Sequence, residues 1–473
     1  MLVQDRNSQS ITKFCCAMLD LKAVTVPVVV RNWHCTGPVA INFVGFQFVF
    51  HINQPANPAR PSVAYCRSRS ILKGRKMDAG NQTIALGNPQ QTKKLAVPAP
   101  TLAQIIRHKL PADTPTAIVY CEGNFAKIDG KTANGLIRHS ETFRIVSVID
   151  SDLAGQDSGM VLDGALNEIP IFRDLGTAVA SIVDVPDTLI YGMAPSTGRL
   201  SPQDRSVILE AIALGMNIIS GLHEYLGDDP EFITAANAVP GVTIRDIRKP
   251  RASKDMRLFD GGIKAVTSIR IAVLGTDCAI GKRTTATVLT RALNARGIRT
   301  VLVGTGQTGL MQGARFGVAM DAVPPQFCCG ELEGAVIEAY QAEQPEVIVI
   351  EGQGALSHPA FCTSAFILRG SQPDAVILQH APKRAYRCDF PDMPMPEPES
   401  EIALIEAFAD TRVVGMTINH EHMDTAEIVA AINTYSSRLA LPVTDALTCP
   451  EDELAEMVIG AFPSLGLRPL AAA

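Results

Sequence analysis

The sequence predicts an α/β protein: two parallel-sheet, three-layer domains joined by a charged linker. Three observations carry this. Short runs rich in Val, Ile and Leu alternate with helical patterns from about residue 81 to 467, and strands separated by helices imply parallel pairing through right-handed crossovers. Several of the runs end in glycine-containing loops, where open α/β sheets bind ligands. A composition of 47% hydrophobic and 19% charged over 473 residues supports buried cores for two or three domains.

Residues 1–76 stand apart. They hold the single tryptophan, Trp33, four of the eleven cysteines and a basic Pro/Ser-rich stretch from Gln54 to Lys76, with poor periodicity. They are expected to be an extension outside the fold arising from an upstream start site. A transit peptide is the alternative, because the segment contains arginine and few acids.

The first domain is placed at residues 81–257. Its strands are read at Ala117–Cys121, Arg144–Asp150, Thr188–Gly192 and Asn217–Ser220, with a helix at Pro202–Leu214. The architecture is Rossmann-like. Asp150 ends the second strand, the position that binds ribose in dinucleotide folds, but no Gly-x-Gly-x-x-Gly follows the first strand. Lys131 and Thr132 open a helix, Ala194 to Arg199 is a strand-to-helix loop, and His223-Glu224 follow a strand. Ordinary loop chemistry is the alternative for each. Together they suggest a small anionic-substrate pocket facing the second domain. The linker is read at Arg245–Lys254, around Pro250.

The second domain is placed at residues 268–467, with strands at Arg270–Leu274, Thr300–Val303, Val347–Ile350, Ala375–Leu378, Val413–Ile418 and Leu441–Thr444. Its first strand runs into Gly275-Thr-Asp-Cys-Ala-Ile-Gly281-Lys282-Arg283-Thr284. A glycine-bounded loop ending in Gly-Lys at a helix start wraps backbone N–H groups, a lysine and the helix dipole around a pyrophosphate. The spacing between glycines is one residue longer than usual, and Arg283 occupies the position of the magnesium-ligating hydroxyl, leaving Thr284 one residue late. Gly-Thr-Asp-x-x-x-Gly-Lys resembles the loop of dethiobiotin synthetases, which bind ATP in a related fold; this implies a P-loop NTPase-like domain.

Further candidates sit at the other strand ends. Glu351, in Glu351-Gly-Gln-Gly354, is placed where a carboxylate meets a metal or activates a nucleophile, and His358 follows as a possible acid/base. Val303 to Gly313 is a glycine- and threonine-rich loop suited to an anion, with Arg315 just beyond for a carboxylate. Asp321 is a metal ligand or a turn residue. Asn419 stands where nucleotide-binding relatives read adenine.

These segments resemble a bacterial and archaeal family long catalogued as a domain of unknown function, with an N-terminal Rossmann-like and a C-terminal phosphate-loop part. The likeness is carried by Glu122–Phe125 with Gly130–Ala133, Val148–Asp150, Ala194-Pro195 with Gly198-Arg199, Ser220–Glu224, Asp246–Lys249, Gly275–Cys278 with Gly281-Lys282, and Glu351–Gly354 with Ser357–Pro359. A member of that family is assigned as a D-glutamate N-acetyltransferase of D-amino acid catabolism. The resemblance therefore implies acetyl transfer from acetyl-CoA to the amine of D-glutamate. On that reading Gly275, Thr276, Asp277, Gly281, Lys282, Arg283, Thr284 and Asn419 hold the cofactor. Glu351, His358 or His223 is the base, backbone N–H groups near Gly352–Gly354 form an oxyanion hole, and Lys131, Arg199 and Arg315 bind the acceptor. Acyl transfer needs no magnesium, which accommodates Arg283. An ATP/Mg-dependent ligase or carboxylase is the second reading, with Lys282, Thr284, Asp321 and Glu351 around Mg-ATP; a nucleotide-sensing, non-enzymatic module is the third.

A net charge of −6 gives no electrostatic case for nucleic acid. The apolar stretch from Ala23 to Phe50 is broken by Arg31, Asn32, His34, Pro38 and Asn42, so no membrane helix is expected. No Cys-x-x-Cys or His-x-x-x-His occurs, so no metal site is expected. The expected partner is a small-molecule substrate, the expected assembly a homo-oligomer and the expected location the cytoplasm.

Overall fold

A computed structural model of the chain describes residues 110–111, 113–195, 198–448 and 451–466, together with the backbone of five short strands nearer the N-terminus. The chain divides into two compact units, Met1–Ala96 and Val97–Ala473. In the first, β1 (Leu2–Val3), β2 (Val28–Val30), β3 (Val39–Phe43), β4 (Phe46–Asn53) and β5 (Ser62–Arg69) form one sheet in the order β1-β2-β5-β4-β3.

The second unit holds two parallel sheets. The first contains β6 (Thr116–Tyr120), α1 (Lys131–Arg138), β7 (Arg144–Ile149), α2 (Ser158–Asp163), β8 (Ile171–Phe172), α3 (Leu175–Ala180), β9 (Thr188–Tyr191), α4 (Pro202–Ala213), β10 (Asn217–Ser220), α5 (Pro230–Ala238) and β11 (Ile244–Asp246). The sheet order is β11-β10-β9-β6-β7-β8, all parallel. Renumbered within the domain this is the 3-2-1-4-5-6 order of dinucleotide-binding folds, whose switch point lies between the first and fourth strands, here β6 and β9. α4 starts where the sequence supplies a full set of signals: Ser201 accepts from the Asp204 backbone N–H, Asp204 returns the bond, and Pro202 fills the first turn.

The second sheet contains β12 (Ile269–Gly275), α6 (Lys282–Ala295), β13 (Thr300–Gly304), α7 (Gln307–Gln312), β14 (Phe316–Gly317), α8 (Pro325–Glu343), β15 (Val347–Glu351), α9 (Thr363–Ser371), β16 (Ala375–His380), a hairpin of β17 (Tyr386–Arg387) and β18 (Phe390–Pro394), α10 (Pro398–Phe408), β19 (Val413–Ile418), α11 (Thr425–Leu439), β20 (Val443–Asp445) and α12 (Glu451–Ala461). Its order is β14-β13-β15-β12-β16-β19-β20, with β12 at the centre. Period-two alternation on β12 builds the layers. Ile271 and Val273 pack with Val288, Leu289, Leu454 and Val458, while Ala272 and Leu274 pack with Leu332, Val336, Ile367 and Leu368. Both faces are buried, as expected of parallel strands that read as continuous apolar runs.

The linker lies later than the sequence suggested. Residues 244–246 are the last strand of the first sheet, where Asp246 accepts from the Leu226 and Gly227 backbone N–H groups. The chain then crosses α8, where Glu331 and Glu333 accept from the backbone N–H groups of Arg257, Asp260 and Ile263.

Candidate active site

The loop between β12 and α6 lies at the C-terminal edge of the second sheet. Ala279 and Gly281 take left-handed backbone conformations, with φ of 50° and 102°, which turn the loop back over the helix start. Lys282 is the first residue of α6 and is buried. Its ammonium donates to the Asp277 carbonyl of its own loop, and burial holds its pKa below the usual lysine range. An amine curled onto a loop carbonyl inside a turn of backbone N–H groups is a fitting cradle for a phosphate group. Thr285, one residue beyond the expected Thr284, donates to Gln379 at 2.6 Å and ties the helix start to β16. Thr276 bonds to His380 Nδ1 at 3.0 Å, and His380 Nε2 meets the Tyr435 hydroxyl at 3.3 Å. Burial pushes that imidazole down to about 4.

Asp277 is the hub of the loop. Its side chain is wholly buried. Oδ2 accepts from the Cys388 backbone N–H at 2.7 Å and faces Arg384 Nη1 at 3.2 Å. Arg384 also donates to the Cys278 and Ala279 carbonyls and pairs with Glu421, while Arg387 donates to the Thr276 carbonyl and to Ser357. Two arginines from residues 381–394 thus clasp the phosphate loop. The reading of the sequence missed both. Their signal was available: Lys383, Arg384 and Arg387 follow a buried strand adjacent to β12.

His358 comes to the same place from the loop after β15. Its side chain is wholly buried, its Nε2 lies 3.7 Å from Asp277 Oδ1, and its Nδ1 accepts from the Ala360 backbone N–H at 3.2 Å. A ring that accepts at Nδ1 carries its proton on Nε2 when neutral, so it does not offer a lone pair to a substrate there. Glu351 is buried under α7, where it accepts from the Thr305 and Gly306 backbone N–H groups at 2.9 and 3.3 Å. Burial raises its pKa, against those bonds and the charges of Arg283 and Lys282. Gly309 is required above it, since a Cβ there would stand 2.3 Å from Glu351 Oε2.

Other candidates serve different purposes. The glycine- and threonine-rich stretch is helix α7, and it plugs the C-terminal edge of the first sheet. Met311 belongs to that domain's core, Thr308 meets Thr132 at 3.0 Å, and Gln312 donates to the Gly135 and His139 carbonyls. Arg283 is turned to this interface and donates to Gln312; burial pushes it down to about 10. Asp150 is consumed by the Phe125 and Asp152 backbone N–H groups, which removes the ribose position suggested by the sequence. Asp321 is paired with Arg248 at 2.8 Å, so it is an interdomain anchor. Arg315 is exposed and pairs with Glu343. It lines a separate cavity of about 650 Å³ with His139, Arg291 and Phe316, to which no residue of the phosphate loop contributes.

Lys131 is exposed at the start of α1; burial raises the Cys278 thiol pKa, against the charge of Lys282 and, more weakly, that of Lys131. Asn419 anchors the edge through a bond from its own N–H to the His380 carbonyl and accepts from Glu421 N–H. His223 is half exposed, lies against Gly198 and sits 3.9 Å from Asp321. Burial and Arg248 lower its pKa. Arg199, which follows Gly198, is exposed; Ser196 and Thr197 of the same loop lie outside the described residues.

Fold and site define a two-domain α/β protein in which a Rossmann-like sheet faces a phosphate-loop domain. Residues 257–455 match the P-loop domain, and residues 151–250 the Rossmann-like domain, of a family described as a domain of unknown function, DUF1611. The chain belongs to the DUF1611 family. It is 33% identical over 264 residues to a D-glutamate N-acetyltransferase of Tritonibacter scottomollicae, spanning 54% of this chain and 77% of that protein. A second D-glutamate N-acetyltransferase, from Pseudoalteromonas sp, is 33% identical over 266 residues, spanning 55% and 77%. The crystal structure of a DUF1611 family protein from Anabaena variabilis matches 73% of this chain and 99% of its own with a TM-score of 0.68 at 31% identity. Among the described residues no helix is long and apolar enough to cross a membrane.

Proposed function

We propose that the protein transfers an acetyl group from acetyl-CoA to the amino group of D-glutamate. The observation that carries this is the 33% identity to two proteins of that name across 77% of their length. The site supports it chemically. Coenzyme A presents a diphosphate to Lys282 and the loop N–H groups, with Arg384, just before the covering hairpin, and Arg387, on it, supplying further positive charge. The reaction then needs a neutral amine: its lone pair forms the C–N bond, the C–S bond breaks, and coenzyme A leaves as the thiol once the amine's proton is passed on.

Among the three bases considered, His223 suits this step best. Glu351 is engaged by backbone N–H groups and His358 points its proton at Asp277, whereas the His223 ring is half exposed and its lowered pKa keeps it neutral at pH 7. Lys131 and Arg199 are the proposed partners of the acceptor carboxylates.

The test is thiol release from acetyl-CoA with D- or L-glutamate, beside phosphate release from Mg-ATP. Turnover is expected with D-glutamate and acetyl-CoA. Phosphate release from Mg-ATP with no thiol release would overturn the reading in favour of a ligase. With His223 as base, kcat/KM stays level through neutral pH and falls only below the ordinary histidine range, because acid must protonate a ring whose pKa is depressed. His223→Gln should remove that acid limb and lower kcat by roughly 100-fold.

A further inference from the structure

We propose that Asp277, Cys278 and His358 form a zinc site with one open coordination position. One ligand atom from each, a carboxylate oxygen, a thiol sulfur and an imidazole nitrogen, lies within 4.8 Å of the others. Two of the three side chains are wholly buried, and the two atoms that face each other, Asp277 Oδ1 and His358 Nε2, have no hydrogen-bond partner. A buried carboxylate oxygen left unsatisfied is costly and rare.

The spacing between these two atoms is informative. At 3.7 Å they are too far apart for a hydrogen bond. Tetrahedral zinc with nitrogen and oxygen bonds of about 2.0–2.2 Å sets that pair roughly 3.3–3.5 Å apart, so the gap is within a few tenths of an ångström of the edge of such a tetrahedron. The donor set of one thiolate, one imidazole and one carboxylate suits borderline-soft zinc better than calcium or magnesium. Three protein ligands leave a fourth position for water or a substrate oxygen, as in catalytic rather than structural zinc sites.

The outer shell is in place on the Asp277 side. Asp277 Oδ2 is fixed by Cys388 N–H and Arg384, which orients Oδ1 inward. The carboxylate and thiolate together offset the ion's charge beside Lys282 and Arg384. Ligation through Nε2 requires the ring proton on Nδ1, so the 3.2 Å bond from Ala360 N–H is given up in the loaded state. Sequence spacing hides this site, because two ligands are adjacent and the third lies 80 positions later.

The proposal does not rest on the acetyltransferase reading, and its readout is metal binding rather than turnover. The full chain is stripped with chelator, loaded with Zn²⁺ or Co²⁺ and measured for bound metal and thiolate-to-cobalt absorption. One equivalent is expected, lost together with that absorption in both Cys278→Ser and His358→Gln. Variants that keep the full equivalent would overturn the site. Should either variant fail to fold, alkylation of the wild-type chain decides: Zn²⁺, unlike Mg²⁺, should slow modification of Cys278 by about tenfold or more. Equal rates with both ions would show that Asp277 and His358 simply face each other with nothing between them.

Discussion

The two parallel sheets of the second unit share an architecture and differ at the edge where ligands normally bind. At the first sheet the middle of the C-terminal edge is filled with protein, while its loops leave Lys131 and Arg199 exposed and His223 half-exposed. Asp150 is spent on backbone N–H groups, and α7 sets Thr308 against α1 and Met311 into the first domain's core beside Gly221. At the second sheet the edge is a charged cradle, with a buried lysine, two clasping arginines and polar atoms that lack partners. A Rossmann-like strand order therefore predicts where a ligand could bind, and the side chains decide whether it can. Here the first domain's switch point has become a docking surface for the second.

The largest effect that sharpens this contrast is expected at Lys282. A bond from a charged donor contributes about 1.5–3 kcal/mol, so Lys282→Ala should weaken acetyl-CoA binding roughly 10- to 100-fold in calorimetry. Thermal stability should hold or rise, since a buried ammonium is removed. Unchanged affinity with a lower melting temperature would break the comparison, making the loop a structural turn.

Glu351 comes next, because it joins the two edges. Glu351→Gln keeps an acceptor for Thr305 and Gly306 and removes a carboxylate whose ionisation burial disfavours, so stability in denaturant unfolding at neutral pH should hold or rise. The pH dependence has a definite sign. Burial raises this carboxyl in the folded state, so between the ordinary glutamate value of about 4.3 and the raised value the folded chain binds more protons. Its contribution to stability therefore declines as pH rises through that window. The glutamine variant should lose that decline; an identical pH profile would place Glu351 outside the energetics of the interface.

Much of the fold was legible, because parallel strands buried on both faces leave apolar runs that need no partner to be recognised. Strands such as Val413–Ile418 and Asn217–Ser220 appear with the bounds read from the sequence. Two-residue strands such as Ile171–Phe172 and Phe316–Gly317 were not legible, being defined by their neighbours rather than by periodicity. The phosphate loop was legible because its chemistry is local. Arg283, Asp321 and the stretch around Thr308 carry ligand-like residue types, yet their partners Gln312, Arg248 and Thr132 lie in distant sequence, and only the packing of two domains reveals that they bind protein.

The smallest expected effect tests the plug itself. Thr132 and Thr308 share a buried hydrogen bond of 3.0 Å between domains. If the edge is dry, Thr132→Val or Thr308→Val alone strands one hydroxyl and should cost about 1 kcal/mol each, whereas the double variant should be nearly neutral, because both partners become apolar at the same shape. If water enters the crevice, it replaces the missing hydroxyl, the single variants cost little and the coupling disappears. The double-mutant cycle thus measures solvent at the edge rather than the bond alone. A coupling near zero would mean that the first sheet still holds a wet crevice, and that the contrast between a filled edge and an open one is a matter of degree.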